Sequence, residues 1–244
     1  MKVSVVIPAY NAGRTLAGVI GRIPEDLYAA LDRIWIVNDG SLDDTAALAD
    51  SLAGRHQVVR AIHLERNRGY GGAMKRGLDA ALKDGAEVVA CLHADGQYAP
   101  ESLPELLDVR DRRGLDILQG SRLARGTALS GGMPLYKYLA GRALVVIENL
   151  VFGLGLTDYH SGYMLYGRRA LERIPYHRLS DSFDFDLEMI ASARARGLAI
   201  GEWPIPTSYT DEISHLKPVA YGIKVLGVLW GYRRGRYDGS TSSD

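Results

Sequence analysis

Short apolar runs alternate with longer stretches of helical spacing, and clusters of turn residues separate them. Val3 to Ile7 is the first run, and Pro8-Ala9-Tyr10-Asn11 breaks it. Helical spacing follows over 15–20. The second run, 32–37, carries Ile34-Trp35-Ile36-Val37 and ends in Asn38-Asp39-Gly40-Ser41. Asp43 or Asp44 then stands where a helix cap belongs, ahead of a helix through Leu52. A third run covers 58–64. The glycine-rich turn 65–72 opens a helix to about Lys83. The fourth run, Glu87-Val88-Val89-Ala90-Cys91-Leu92, leads into the polar His93-Ala94-Asp95-Gly96-Gln97. Apolar runs bounded by turn residues read as buried strands. Strands alternating with helices predict a mostly parallel α/β sheet, doubly wound and flanked by helices.

The second half is less regular. The pattern predicts a helix over 100–113, a strand over 115–119 and a loop rich in glycine and arginine over 120–132. A helix over 134–151, a turn and strand over 159–166 and a helix over 185–196 stopped by Gly197 come next. A strand over 198–205, interrupted by Pro204, and a helix over 219–230 close the pattern. Residues 236–244 are polar and expected to be disordered.

Composition narrows the classes. With 47% apolar residues in 244, the chain can bury a full core. Lysine plus arginine and aspartate plus glutamate both number 29, so no net charge points to nucleic acid. The single cysteine, Cys91, excludes an internal disulfide and a multi-thiolate zinc site, and its apolar neighbours predict an inert buried thiol. The first run is too short for a signal peptide, and no stretch offers the roughly 18 apolar residues that span a bilayer.

In an open α/β sheet, ligands bind beyond the carboxyl ends of the strands. The fourth run delivers His93, Asp95 and Gln97 there. Alternate residues of an extended segment face one way, so the three could converge on one ion. A polar turn is the other reading. Gly69, Gly71 and Gly72 do not fit the dinucleotide fingerprint, which argues against a nicotinamide dehydrogenase, and no phosphate-loop Gly-Lys-Ser/Thr is present. These glycines either let a ligand approach the backbone or make a tight turn. Asp39 either reads a base, uracil or guanine, or is a turn aspartate.

The motifs Val-Ile-Pro-Ala-Tyr-Asn (6–11), Val-Asn-Asp-Gly-Ser-Leu-Asp-Asp-Thr (37–45), Asn-Arg-Gly-Tyr-Gly-Gly-Ala (67–73) and His-Ala-Asp-Gly-Gln-Tyr (93–98) occur in this order at predicted strand ends. Together they resemble the family 2 glycosyltransferases, which have the GT-A nucleotide-sugar fold. The closest likeness is to the branch of dolichyl-phosphate mannose synthases and bacterial polyprenyl-phosphate glycosyltransferases. It covers about residues 2–210 and continues through Gly120-Ser121-Arg122, Asp158-Tyr159-His160-Ser161-Gly162-Tyr163 and Glu202-Trp203-Pro204-Ile205-Pro206-Thr207.

The resemblance implies an inverting, metal-dependent transferase moving a sugar from a UDP- or GDP-sugar to a polyprenyl phosphate. Pro8, Ala9, Tyr10 and Asn11 would border base and ribose, and Asp39 would read the base. Asn67, Gly69, Gly71 and Ala94 would lie near the nucleotide. Asp95 and Gln97 would hold Mg²⁺ or Mn²⁺ on the diphosphate. Arg122 would meet a lipid phosphate, with Arg125, Lys137 and Ser161 on the acceptor side. The expected organisation is a catalytic domain over 1–212, with a nucleotide half to about 98 and an acceptor half from 99. An amphipathic helix over 213–235 and the polar tail would follow. Which sugar is moved and the oligomeric state stay open.

Three departures stand out. The usual Asp-x-Asp is His93-Ala94-Asp95 here. Hard ions prefer oxygen, so either Asp95 and Gln97 carry the ion, or His93 tilts the site to Mn²⁺, or His93 stands behind the ligands. Asn38 replaces a common aspartate, and Thr207-Ser208-Tyr209 lacks an arginine common before the tyrosine.

A phosphate acceptor is already ionised and needs cations rather than a base. A hydroxyl acceptor, the alternative, needs a base. Asp184 or Asp186, in Asp181-Ser182-Phe183-Asp184-Phe185-Asp186-Leu187-Glu188, could be that base, or Ser182 or Asp184 could cap the helix. A module that binds nucleotide sugar without turnover is a third possibility, motivated by His93. The last helix mixes Val219, Ile223, Leu226 and Trp230 with Lys217, Lys224 and Arg233, which suits either a membrane surface or the domain's own core. The expected location is the cytoplasm, with contact at the inner membrane face.

Overall fold

The computed structural model describes residues 1–124, 135–206 and 218–238. Within them, strands β1 (Val3–Ala9), β2 (Arg33–Asn38), β3 (Val59–His63), β4 (Val88–Cys91), β5 (Ile117–Ser121), β6 (Met164–Gly167) and β7 (Ile200–Pro204) form one sheet. Its order is β3-β2-β1-β4-β6-β5-β7. Strand β6 runs antiparallel to both β4 and β5, and the other pairings are parallel. The expected mostly parallel sheet is present. Its reversed strand was not legible because Met164, Leu165 and Tyr166 are all buried, leaving no alternation to mark a face or direction.

Helices cover both faces. They are α1 (Leu16–Gly21), α2 (Glu25–Ala30), α3 (Thr45–Arg55), α4 (Tyr70–Lys83), α5 (Leu103–Arg112), α6 (Leu135–Phe152), α7 (Arg168–Arg173), α8 (Phe185–Ala195) and α9 (Pro218–Arg233). Alternate residues of β1 divide the core. Val6 packs in the layer of Met74, Leu78 and Phe185, whereas Val5 and Ile7 pack in that of Leu16, Ile36 and Leu103.

Several expectations change. Pro8 does not break the first strand, which continues to Ala9, with Pro8 in register with Val37. The Val6 carbonyl accepts the Leu92 N–H, so positions 6 and 8 face β4, but β4 ends at Cys91 and asks no donor of Pro8. Neither Asp44 nor Asp184 caps its helix through the side chain; before α3, Asp43 Oδ1 instead accepts the Thr45 N–H at 3.0 Å. Pro100 opens a 3₁₀ turn (Pro100–Ser102) ahead of α5. The short helices α2 and α7 were not anticipated. Tyr237 is not in a disordered tail. It is 3% exposed and donates to Glu188 Oε1 at 2.7 Å, and residues 239–244 lie outside the described ones.

Backbone packs closely against the glycine cluster. A Cβ on Gly71 would stand 2.3 Å from the Ser180 carbonyl oxygen, and one on Gly69 (φ +83°) would stand 2.4 Å from that of Asp181. The 180–182 segment lies directly against the start of α4. Gly71→Ala should therefore cost about 1–3 kcal/mol in urea unfolding. Gly54→Ala, in α3 with open space around it, should add roughly 0.5–1 kcal/mol. Equal effects at the two positions would refute the close approach.

Candidate active site

Parallel strands bring their carboxyl ends to one edge of the sheet. Asn38 and Asp39 leave β2 there, His93 to Gln97 leave β4, and Ser121 and Arg122 leave β5. Because β6 is reversed, its amino end, 158–163, reaches the same edge, where the Tyr163 carbonyl accepts the Gly120 N–H at 2.8 Å.

Asp39 is 3% exposed. Its Oδ1 accepts the Arg68 N–H at 2.7 Å and its Oδ2 the Gly69 N–H at 2.9 Å. Burial raises its pKa against those two hydrogen bonds. The carboxylate thus pins the 67–69 loop, whatever else it reads. Asn67 is exposed, and its Oδ1 also accepts the Gly69 N–H. Around the first strand end, Ala9 is buried, Pro8 half-buried, and Tyr10 and Asn11 exposed. Asn11 takes a positive φ of 51°, held by Leu42 N–H on its Oδ1 at 2.9 Å and by its own N–H on Ser41 Oγ at 2.9 Å. Asn38, one of the departures, is structural: its Oδ1 accepts the Ser41 N–H and its amide bonds the His63 ring.

Beyond β4, Asp95 is half-buried and its Oδ1 accepts the Gln97 N–H at 3.0 Å. Ala94 is buried. His93 directs Nε2 toward Tyr70 and Gly162. That nitrogen lies 3.4 Å from the Tyr70 hydroxyl, and a Cβ on Gly162 would stand 2.3 Å from it. The ring packs edge-on against Tyr98, centroids 4.9 Å apart. Burial lowers its pKa, Asp95 opposes and Arg122 adds to the lowering. Among the described residues, no three His, Cys, Asp or Glu side chains come together as a metal site.

Arg122 donates to Asp158 through Nε at 2.8 Å and Nη2 at 3.1 Å. Asp158 is 1% exposed. Burial opposes its charge, but the Arg122 guanidinium outweighs it and keeps its pKa below the ordinary carboxylate value. Ser161 is fully buried; its carbonyl accepts the Gln119 amide and its Oγ accepts the Tyr163 N–H at 3.4 Å. Arg125 and Thr207-Ser208-Tyr209 lie outside the described residues, as does the Lys137 side chain.

A profile described as Glycosyl transferase family 2 matches residues 4–175. The chain belongs to this family. It is 32% identical over 203 residues to polyprenol monophosphomannose synthase of Mycolicibacterium smegmatis, covering 82% of this chain and 75% of that one. Undecaprenyl-phosphate mannosyltransferase of Micrococcus luteus is 31% identical over 206 residues, with 84% and 83% covered. UDP-N-acetylglucosamine–dolichyl-phosphate N-acetylglucosaminyltransferase of Methanococcus voltae is 29% identical over 244 residues, with 95% and 96% covered. Glucosyl-3-phosphoglycerate synthase from Mycobacterium tuberculosis, solved with Mn²⁺, UDP and glucosyl-3-phosphoglycerate, superposes with a TM-score of 0.69 at 19% identity, covering 95% of this chain and 79% of that one. At that identity the likeness shows the fold, which is the expected GT-A arrangement.

This family 2 chain also carries partners that the sequence did not reveal. Asp186 is 6% exposed and accepts the Tyr70 hydroxyl on Oδ2 and the Tyr166 hydroxyl on Oδ1, both at 2.7 Å. Tyr70 links it to His93. Burial pushes the Asp186 carboxyl up to about 7, against the two tyrosine hydrogen bonds. His160 lies between helices: its Nδ1 is 3.0 Å from the Tyr221 hydroxyl and its Nε2 3.4 Å from Oε2 of the fully buried Glu148. Glu148 and Tyr221 sit on apolar helices, and only the motif at 158–163 could have pointed to a partner for His160.

Asp186 makes stability pH-dependent with a definite sign. The folded chain keeps this proton to about pH 7, and the unfolded chain releases it near 3.8. Between those values the folded state binds more protons, so stability falls as pH rises. In urea unfolding at about pH 5 and about pH 8, the native protein should lose a few kcal/mol more than Asp186→Asn. Parallel pH profiles would contradict the assignment.

Proposed function

We propose that this family 2 chain transfers a sugar from a nucleoside-diphosphate donor to a polyprenyl phosphate, inverting the anomeric carbon. The observation carrying this reading is a braced cation at the sheet edge, with the acid best suited to act as a base sealed away by tyrosines. Arg122 leaves β5 at the edge where the Asp95 turn leaves β4, and hydrogen bonds to Asp158 hold it there. Asp186, whose proton affinity suits a base near neutral pH, is buried with both oxygens taken by tyrosines. A phosphate acceptor needs the cation and no base. The names of the relatives from Mycolicibacterium, Micrococcus and Methanococcus support the same acceptor class.

The residues fit a divalent cation of the hard kind. Asp95 and the Gln97 amide offer oxygens, and phosphate oxygens would complete the shell, as is usual for Mg²⁺ at nucleotides. The ion would neutralise charge growing on the leaving diphosphate. The Mn²⁺ complex of the structural neighbour supports a cation of this class, either Mg²⁺ or Mn²⁺. His93 acts behind the ligands, holding Tyr70 and shaping the Asp95 turn. Asp39 fixes the loop against which a UDP or GDP base would rest, with Tyr10 and Asn11 exposed beside it. Arg122, braced by Asp158, would orient the acceptor phosphate for attack opposite the leaving group. The acceptor would bring the chain to a membrane surface from the cytoplasmic side.

Labelled UDP- and GDP-sugars incubated with a short polyprenyl phosphate should yield a lipid-linked sugar. Asp95→Ala should lower the rate at least about a hundredfold, and Arg122→Gln should raise the acceptor KM roughly tenfold. Transfer to a soluble alcohol, with no lipid-linked product, would support the hydroxyl acceptor, for which the raised pKa of Asp186 speaks. Nucleotide-sugar binding without turnover would support a binding module.

A further inference from the structure

Five rings run in file across the ligand edge of the sheet. Tyr163 meets Tyr98 with centroids 5.7 Å apart, Tyr98 meets His93 at 4.9 Å, His93 meets Tyr70 at 5.2 Å, and Tyr70 meets Phe183 at 5.8 Å. Tyr163 and Tyr98 are buried. Phe183 ends the file among the described residues and is 46% exposed. It lies nearly parallel to Tyr70, at 14°, so Tyr70 covers one of its faces. Phe185, two positions on, is fully buried in the core.

A single exposed apolar side chain needs no explanation by itself. This one stands on a braced loop. The Asp181 carbonyl accepts the Gly72 N–H at 3.3 Å, and the Asp181 carboxylate pairs with Lys75 at 2.6 Å. The Ser182 N–H donates to Ser180 Oγ at 3.1 Å. Asp184 Oδ1 accepts from the Ser180 hydroxyl at 2.8 Å and from Lys224 at 3.1 Å. A ring fixed in this way gives up little freedom when a ligand stacks on it.

The order of the sheet locates the outer face of the ring. Asp39 follows β2, Asp95 follows β4 and Arg122 follows β5, with β6 between the last two strands. A donor with its base by Asp39 and its diphosphate at Asp95 would carry its sugar onward, over β4 and β6. Tyr70, the support beneath Phe183, reaches that stretch. Its hydroxyl lies 3.5 Å from Cys91 Sγ on β4 and donates to Asp186, which also holds Tyr166 of β6. The base would lie two strands away, at β2. An aromatic face carries partial negative charge, so it suits the C–H groups of a sugar ring and not a phosphate.

We propose that the outer face of Phe183 is the platform on which the sugar of the donor stacks. The proposal rests on the glycosyltransferase reading, but its test measures binding, without acceptor or turnover. Titration calorimetry with Mn²⁺ compares UDP with UDP-glucose and UDP-N-acetylglucosamine, and GDP with GDP-mannose. For the sugar nucleotide that the native chain binds, Phe183→Ala should weaken affinity about three- to tenfold, while the bare diphosphate changes by less than about twofold. Phe183→Trp should restore the affinity, and Phe183→Leu, apolar but without a ring, should not. Equal weakening of the diphosphate and its sugar form would overturn the proposal, since the ring would then serve the base or the loop. So would unchanged affinity in Phe183→Ala, or full affinity in Phe183→Leu. A native chain that binds none of these nucleotides would overturn the donor reading and the platform together.

Discussion

Strand β6, running backwards between β4 and β5, is the constraint on which the site depends. Parallel strands deliver only their carboxyl ends to the ligand edge. A reversed strand delivers its amino end, and with it Asp158, His160 and Gly162. Asp158 meets Arg122 from the neighbouring strand, and Gly162 leaves just enough room for the His93 ring. Had β6 been parallel, the 158–163 segment would have emerged at the opposite edge, leaving Arg122 without its bracing carboxylate.

The buried polar groups form two chains leading away from that edge. One runs from His93 through Tyr70 to Asp186 and Tyr166. The other runs from Arg122 through Asp158 to His160, and from there to α6 and α9. Buried charge is costly without partners, so each chain is also a restraint on geometry. The first holds the His93 ring toward Tyr70. The second fixes the guanidinium in a plane set by two hydrogen bonds to one carboxylate. Apolar packing alone would hold these side chains in place less specifically.

Much of the first half was legible because its chemistry is local. The run from Val88 to Cys91 and the turn after it appear in the sequence as they do in space, and the pattern of β1 to β4 follows from alternation and punctuation. Asp95 stands at its strand end as read. What could not be read depends on residues far apart in the chain. That Asp39 also holds the 67–69 loop depends on the Arg68 and Gly69 N–H groups that donate to it, about 30 residues away in the chain. Ser161 sits in a polar motif and yet is fully buried, because β6 carries that motif into the sheet. Asp186 lies in an acidic segment that reads equally as cap or base. Its tyrosine partners come from α4 and β6, 116 and 20 residues away.

The seam between α4 and the 180–182 segment has a consequence for how this chain can vary. On one side the contact is made by the absence of side chains, at Gly69 and Gly71; on the other it is made by main-chain carbonyls. Tolerance across the seam is therefore lopsided. Position 180 presents its carbonyl to Gly71, while its hydroxyl faces the other way along the segment, accepting the Ser182 N–H and donating to Asp184. Information about the glycine contact is stored almost entirely on one partner, so paired changes across the seam are to be sought instead at Lys75 and Asp181, whose side chains pair at 2.6 Å.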